Sequence, residues 1–105
     1  MAQERVMDQP NAIIHQPVRL KIMAALKPLP QGEPLEFVRL KAIVGATEGN
    51  LGAHITTLEE AGYVAVQKDF HANRPRTRVS MTTLGRRAFE DYVADLRSII
   101  GAAGT

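Results

Sequence analysis

Thr47–Thr82, TEGNLGAHITTLEEAGYVAVQKDFHANRPRTRVSMT, changes its apolar period part-way along, and that change decides the fold. At its start Leu51, Ile55 and Leu58 fall at i, i+4 and i+7, one buried stripe of a helix. Thr47 suits the N-cap, Glu48 the first turn, and Gly62 the C-terminal stop. The opposite face carries Gly49, Asn50, Ala53, His54 and Thr57, small or hydrogen-bonding residues with no obvious packing duty. From Val64 the period becomes two. Val64, Val66, Lys68 and Phe70 share a face of one strand, Val79 and Met81 a face of the return strand, with the turn around His71 to Pro75. Alternation sends Arg76 and Arg78 outward, sets Arg74 near the tip, and turns Phe70 inward with Val79 and Met81.

Working outward, Pro17 fits a first helical position, and Val18, Ile22 and Leu26 with Met23 and Ala25 continue a helix that Pro28 stops. This segment is apolar around much of its circumference and should be largely buried. PLPQGEP is a loop by composition. A second helix fits Leu35 to Val44, with Phe37, Leu40, Ile43 and Val44 on one stripe, and Gly45 ends it. The last helix starts at Thr82 or Thr83 and runs to about Ile100, with Leu84, Ala88, Tyr92, Val93, Leu96, Ile99 and Ile100 on a broad apolar stripe.

One domain is expected from 105 residues. The absence of cysteine excludes disulfides and thiolate metal sites. No run reads as a signal peptide or membrane span, so a cytoplasmic protein is the expectation. Net charge is only +2, but Tyr63–Arg87 holds six basic residues against the single acid Asp69, leaving the rest of the chain at −3. Cations concentrated on one hairpin point to nucleic acid or another polyanion.

Two short helices, a third with an open polar face and then a basic hairpin describe a winged helix-turn-helix. The class is α+β and mostly helical. A helix is narrow enough to present side chains to base edges in the major groove, and a hairpin beside it can reach phosphates or the minor groove. Asn50 can make the paired hydrogen bonds that adenine offers, and His54 and Thr57 can donate or accept. The third helix has no Lys or Arg and three glutamates. Labour should therefore divide: the helix discriminates, while the wing, with Arg39 and Lys41, supplies electrostatic affinity.

HQPVRLKIMAAL, TEGNLGAHITTLEEAGYV and RPRTRVSMTTLGRRAFEDYV together resemble winged-helix regulators of the MarR and ArsR groups. The likeness is to a compact subfamily with a T-x-G-N-L-x-x-H recognition helix and a P-R-T wing, and it covers about Asn11 to Leu96. Threonine-leucine at Thr83 and Leu84 departs from the commoner leucine-threonine order. The resemblance implies a DNA-binding transcriptional regulator acting as a homodimer, with Thr47, Gly49, Asn50 and His54 facing the major groove and Arg74, Arg76 and Arg78 in the wing. Control by small molecules is common in the wider group, but no pocket signature accompanies it here.

The organisation expected is a polar arm over 1–10, the DNA-binding domain over 11–82, a dimerisation helix over 83–100 and a loose tail over 101–105. Tyr92, Leu96, Ile99 and Ile100, helped by Val6 and Met7 of the arm, would form the dimer contact. A twofold dimer predicts a pseudo-palindromic operator on double-stranded DNA. The acidic third helix keeps an alternative open, a winged-helix module for protein interaction or RNA binding.

No cofactor is expected. GATEGNLG lacks both the Gly-Lys-Ser/Thr ending and the preceding strand of a phosphate loop. His15, His54 and His71 are too scattered for a metal site, and His15 reads as a satisfied, partly buried histidine. Ser80 and Ser98 suggest no hydrolase triad, so no enzyme is read here.

Overall fold

The computed structural model describes residues 10–104. Helix α1 (Pro17–Leu26) opens with the Gln16 side chain accepting from the Arg19 N–H and Pro17 in the first turn, and it buries Ile22, Met23 and Leu26. After the proline-rich loop, Leu35–Glu36 form a short strand, β1, and helix α2 covers Phe37–Val44. The helix expected from Leu35 thus starts two residues later. Leu35 and Glu36 are held extended by antiparallel pairing with Val79 and Arg78, a non-local contact that local periodicity does not register. On α2, Leu40 and Val44 are buried, whereas Ile43, expected on the core stripe, is 53% exposed.

Helix α3 (Glu48–Glu60) is capped by the Thr47 hydroxyl, which accepts from the Asn50 N–H. It ends in a glycine turn: Gly62 has φ +83°, and the Tyr63 N–H reaches back to the Leu58 carbonyl at 2.9 Å. Strands β2 (Val64–His71) and β3 (Arg74–Met81) follow, giving a sheet of order β1-β3-β2. The hairpin turn is only two residues, Ala72 and Asn73, both at positive φ. That geometry matches strand twist but usually recruits glycine or asparagine.

Helix α4 (Thr83–Gly104) runs beyond the expected end near Ile100. Its cap is Thr82, whose hydroxyl accepts from the Gly85 N–H at 2.9 Å and donates to the Gly62 carbonyl at 2.6 Å. The core gathers Ile14, Leu26, Leu40, Leu51, Leu58, Val79 and Tyr92 between the helices and the sheet. Phe89, on α4 but absent from the expected stripe, is also buried.

Tyr92 therefore changes role. At 1% exposure it belongs to its own domain's core and is closed to a partner, contrary to its expected place in a dimer contact. Burial pushes its phenol above the ordinary tyrosine range, and its hydroxyl lies 2.8 Å from His15 Nδ1. His15 is satisfied as expected, although its residue is exposed rather than half-buried. Leu96 and Ile99 are half-buried and Ile100 is 67% exposed. Val6 and Met7 lie outside the described residues. No helix among the described residues is long and apolar enough to cross a membrane.

Candidate nucleic-acid interface

The outer side of α3 is open. Thr47, Glu48, Gly49, Asn50 and Ala53 are exposed, while Leu51, Ile55 and Leu58 fix the helix to the core. A Cβ added at Gly49 or Gly52 would meet nothing within 4 Å. Internal packing does not require these glycines, and they leave the helix backbone approachable from outside. The positive end of the α3 dipole lies on this side too, with Thr47 capping the Asn50 N–H and Glu48 in the first turn.

His54 is not free, because Arg19 of α1 lies against it with Nη1 2.9 Å from His54 Nδ1. A guanidinium only donates, so Nδ1 accepts and the ring proton sits on Nε2. In that tautomer Nε2 of the half-buried His54 is a donor, the kind of group that the guanine and thymine acceptors of the major groove can receive. Thr57 is half-buried, and its hydroxyl donates back to the Ala53 carbonyl at 3.3 Å, which leaves its oxygen as an acceptor on this side of the helix.

The wing has a different charge pattern from the expected one. With the turn at Ala72–Asn73, Asp69 pairs directly with Arg76 across β2 and β3. Arg76 grips its carboxylate with two bonds, Nε to Oδ1 at 3.0 Å and Nη2 to Oδ2 at 3.1 Å. Arg78 Nη2 adds a third at 3.0 Å. Arg76 and Arg78 are consequently only 24% and 28% exposed, rather than projecting freely. The Arg76 hydrogen bonds, with the charges of Arg76 and Arg78, hold the Asp69 carboxyl below the usual carboxylate range despite an opposing desolvation effect. A carboxyl so depressed is ionised above its unfolded value and gives up this stabilisation only as pH falls through its lower folded value. The pairing thus persists across neutral pH.

Phe70 also departs from expectation. Instead of anchoring inward it is 73% exposed, because its partner across the hairpin is Pro75 near the tip, beyond the reach of the core. Among the described residues, the wing cations that form no ion pair are Arg74 and Lys68, both exposed. Val66, Lys68 and Thr77 share the strand face turned toward α3. With Gly52, Thr56 and Glu59 they line an open cleft of about 520 Å³ between helix and wing.

Arg39 is exposed on the far side of α2, in a shallow groove with Pro34, Leu35 and Val38 that no α3 residue enters. Lys41 is half-buried in the last turn of α2. Arg86, counted in the basic segment, is a tie: it donates to Gln31 Oε1 at 2.6 Å and to the Leu29 carbonyl at 3.0 Å, holding the loop before β1 to α4.

A helix with an open outer face beside a two-stranded wing is the arrangement captured by a family model described as a winged helix DNA-binding domain, which matches residues 18–100. The chain belongs to that family. This winged-helix domain is 38% identical over 84 residues to an uncharacterized protein of Methanocaldococcus jannaschii, covering 80% of this chain and 88% of that one. It is also similar to the solved structure of a transcriptional regulator homologue from Pyrococcus horikoshii, with 33% identity, 89% of each chain covered and a TM-score of 0.79. More distant likenesses show the fold alone. NadR in complex with 4-hydroxyphenylacetate has 22% identity and a TM-score of 0.64, over 87% of this chain and 64% of NadR. Bacillus subtilis PadR in complex with operator DNA has 12% identity and a TM-score of 0.58, over 70% and 47% of the two chains.

Two residues of this winged-helix surface escape a reading from sequence. Arg19 sits in another helix, 35 positions before His54. Asp69 becomes visible as the arginines' partner once the turn is set at Ala72–Asn73, since that register alone puts Asp69 opposite Arg76.

Proposed function

We propose that this winged-helix domain is a sequence-specific, double-stranded DNA-binding transcriptional regulator related to the MarR and ArsR groups, acting in the cytoplasm as a homodimer. The observation that carries the reading is the open N-terminal half of α3, with Gly49, Asn50 and Ala53 uncovered beside an exposed wing tip. Thr47, Gly49, Asn50 and His54 enter the major groove, and Arg74 and Lys68 lie along the neighbouring phosphates. The likeness to PadR, whose structure holds operator DNA, supports the use of this fold on a duplex. The domain proper then comprises residues 11–82, and α4 joins two copies so that their α3 helices meet one face of DNA about one turn, roughly 34 Å, apart.

Asn50→Ala is expected to lower discrimination between cognate and altered sites by about 1–3 kcal/mol at one base position, with little change on random DNA. Arg74→Ala should weaken binding to all sequences alike and lower the slope of log K against log salt by about 1. Titrations of both variants by fluorescence anisotropy at several salt concentrations separate the two roles. Equal loss of sequence preference in the two would contradict the division.

Asp69→Asn is expected to do the opposite of a damaging change. It releases Arg76 and Arg78 from their shared carboxylate, so duplex affinity at low salt should rise several-fold and the salt slope should steepen by about 1–2. Unchanged affinity and slope in the same titration would show that these arginines stay out of reach of DNA even when unpaired.

A further inference from the structure

We infer that Phe70 and Pro75 form an apolar wedge at the wing tip that enters the minor groove flanking each α3 contact and unstacks a base step there. The inference rests on the proposed DNA-binding reading and adds a residue pair that reading does not use. Three observations meet at this point. Phe70 is 73% exposed and Pro75 is exposed, and they face each other across β2 and β3. Their face is the one turned toward α3, because the next pairs inward, Lys68–Thr77 and Val66–Val79, contribute Val66, Lys68 and Thr77 to the cleft beside that helix. Beyond them the chain turns in two residues, so the blade is narrow at its end.

The surrounding charge names the occupant. Lys68 precedes the apolar pair on the same face, and Arg74 with His71 caps the opposite face at the tip. Farther back, Asp69 neutralises part of the charge of Arg76 and Arg78. Cations bracketing a bare aromatic ring suit two rails of phosphate with base edges between them. A neutral apolar partner would leave Lys68 and Arg74 unpaired at its rim. Side chains such as Phe and Pro that part a base step kink the duplex, and they favour flexible pyrimidine–purine steps at positions no hydrogen bond reads. On this account α3 chooses the half-site and the wedge chooses its flank.

The test uses the full chain and a duplex recovered by selection from a randomised pool, with 2-aminopurine replacing adenines that flank each half-site. Wild-type protein should enhance 2-aminopurine fluorescence at one flanking step. Phe70→Ala, at an exposed position and therefore folding normally by circular dichroism, should abolish the enhancement and cost about tenfold in affinity, the size of one lost aromatic–base stack. Phe70→Leu should keep part of both, while Arg74→Ala should lose affinity yet retain the enhancement once saturated. Unchanged enhancement and affinity in Phe70→Ala would overturn the wedge and leave duplex binding intact. A Phe70→Ala variant altered in self-association but not in DNA affinity would also overturn it, assigning the tip to a second copy. Failure of wild-type protein to retain any duplex would overturn the DNA-binding reading and the wedge with it.

Discussion

Gly85→Ala is expected to destabilise the domain by about 3 kcal/mol or more, a large fraction of the roughly 5–15 kcal/mol that holds a small fold together. Helix propensity alone predicts the reverse, a gain of roughly 1 kcal/mol from replacing glycine inside α4. Geometry decides the sign. A Cβ at Gly85 would overlap the Tyr63 carbonyl oxygen and lie 2.8 Å from its carbon. These are backbone atoms, and they cannot step aside. The Tyr63 carbonyl accepts from the Thr82 N–H at 3.1 Å, and Thr82 in turn caps α4 and bonds Gly62. Moving Tyr63 would therefore break the corner joining α3, the hairpin and α4. Gly101→Ala is the matched control, since nothing lies within 4 Å of its added Cβ. Thermal unfolding followed by circular dichroism should show a large fall in Tm for Gly85→Ala and none for Gly101→Ala. A Gly85→Ala protein melting at or above the wild-type temperature would refute the close approach.

The second large effect concerns assembly. Under the proposed dimer, Ile99→Glu combined with Ile100→Glu should give a folded monomer that binds a two-half-site operator about 100-fold or more weakly. Linking two sites makes the second binding event intramolecular, and losing the link forfeits that gain. These positions are chosen because the core ends before them: Phe89 and Tyr92 are buried, whereas Ile100 is 67% exposed. Glutamates there should place like charges in the dimer contact without opening the domain. Sedimentation velocity checks the mass and anisotropy on one-site and two-site duplexes checks the affinity. A wild-type protein that sediments as a monomer at all concentrations would remove the basis of the proposal.

Most of the architecture was legible because local signals agreed with tertiary packing. In α3 the Thr47 cap, the Leu51–Ile55–Leu58 stripe and the Gly62 stop all specify the same helix, and the period of two after Val64 marks the hairpin. What escaped was non-local or hung on one residue of register. β1 exists only because Leu35 and Glu36 meet Val79 and Arg78 far along the chain. The hairpin turn at Ala72–Asn73 lacks the usual glycine, so the sequence marks its centre only broadly and leaves the Asp69–Arg76 pair hidden. For Phe70, alternation identifies a face but not the distance from the core. Tyr92 lay on an apolar stripe whose inner part fills the domain and whose outer part does not. Sequence pattern reports that a residue is apolar; only the fold says which surface covers it.

The most direct test of the central claim is selection of duplexes from a randomised pool by the purified protein, followed by titration of the recovered site across salt concentrations. The account predicts an inverted repeat with half-site centres about one helical turn apart, roughly 34 Å. It also predicts a log–log salt slope that becomes shallower by about 1 when Arg74 is replaced by alanine. Recovery of no preferred sequence, or tighter binding of single-stranded RNA than of any duplex, would contradict it.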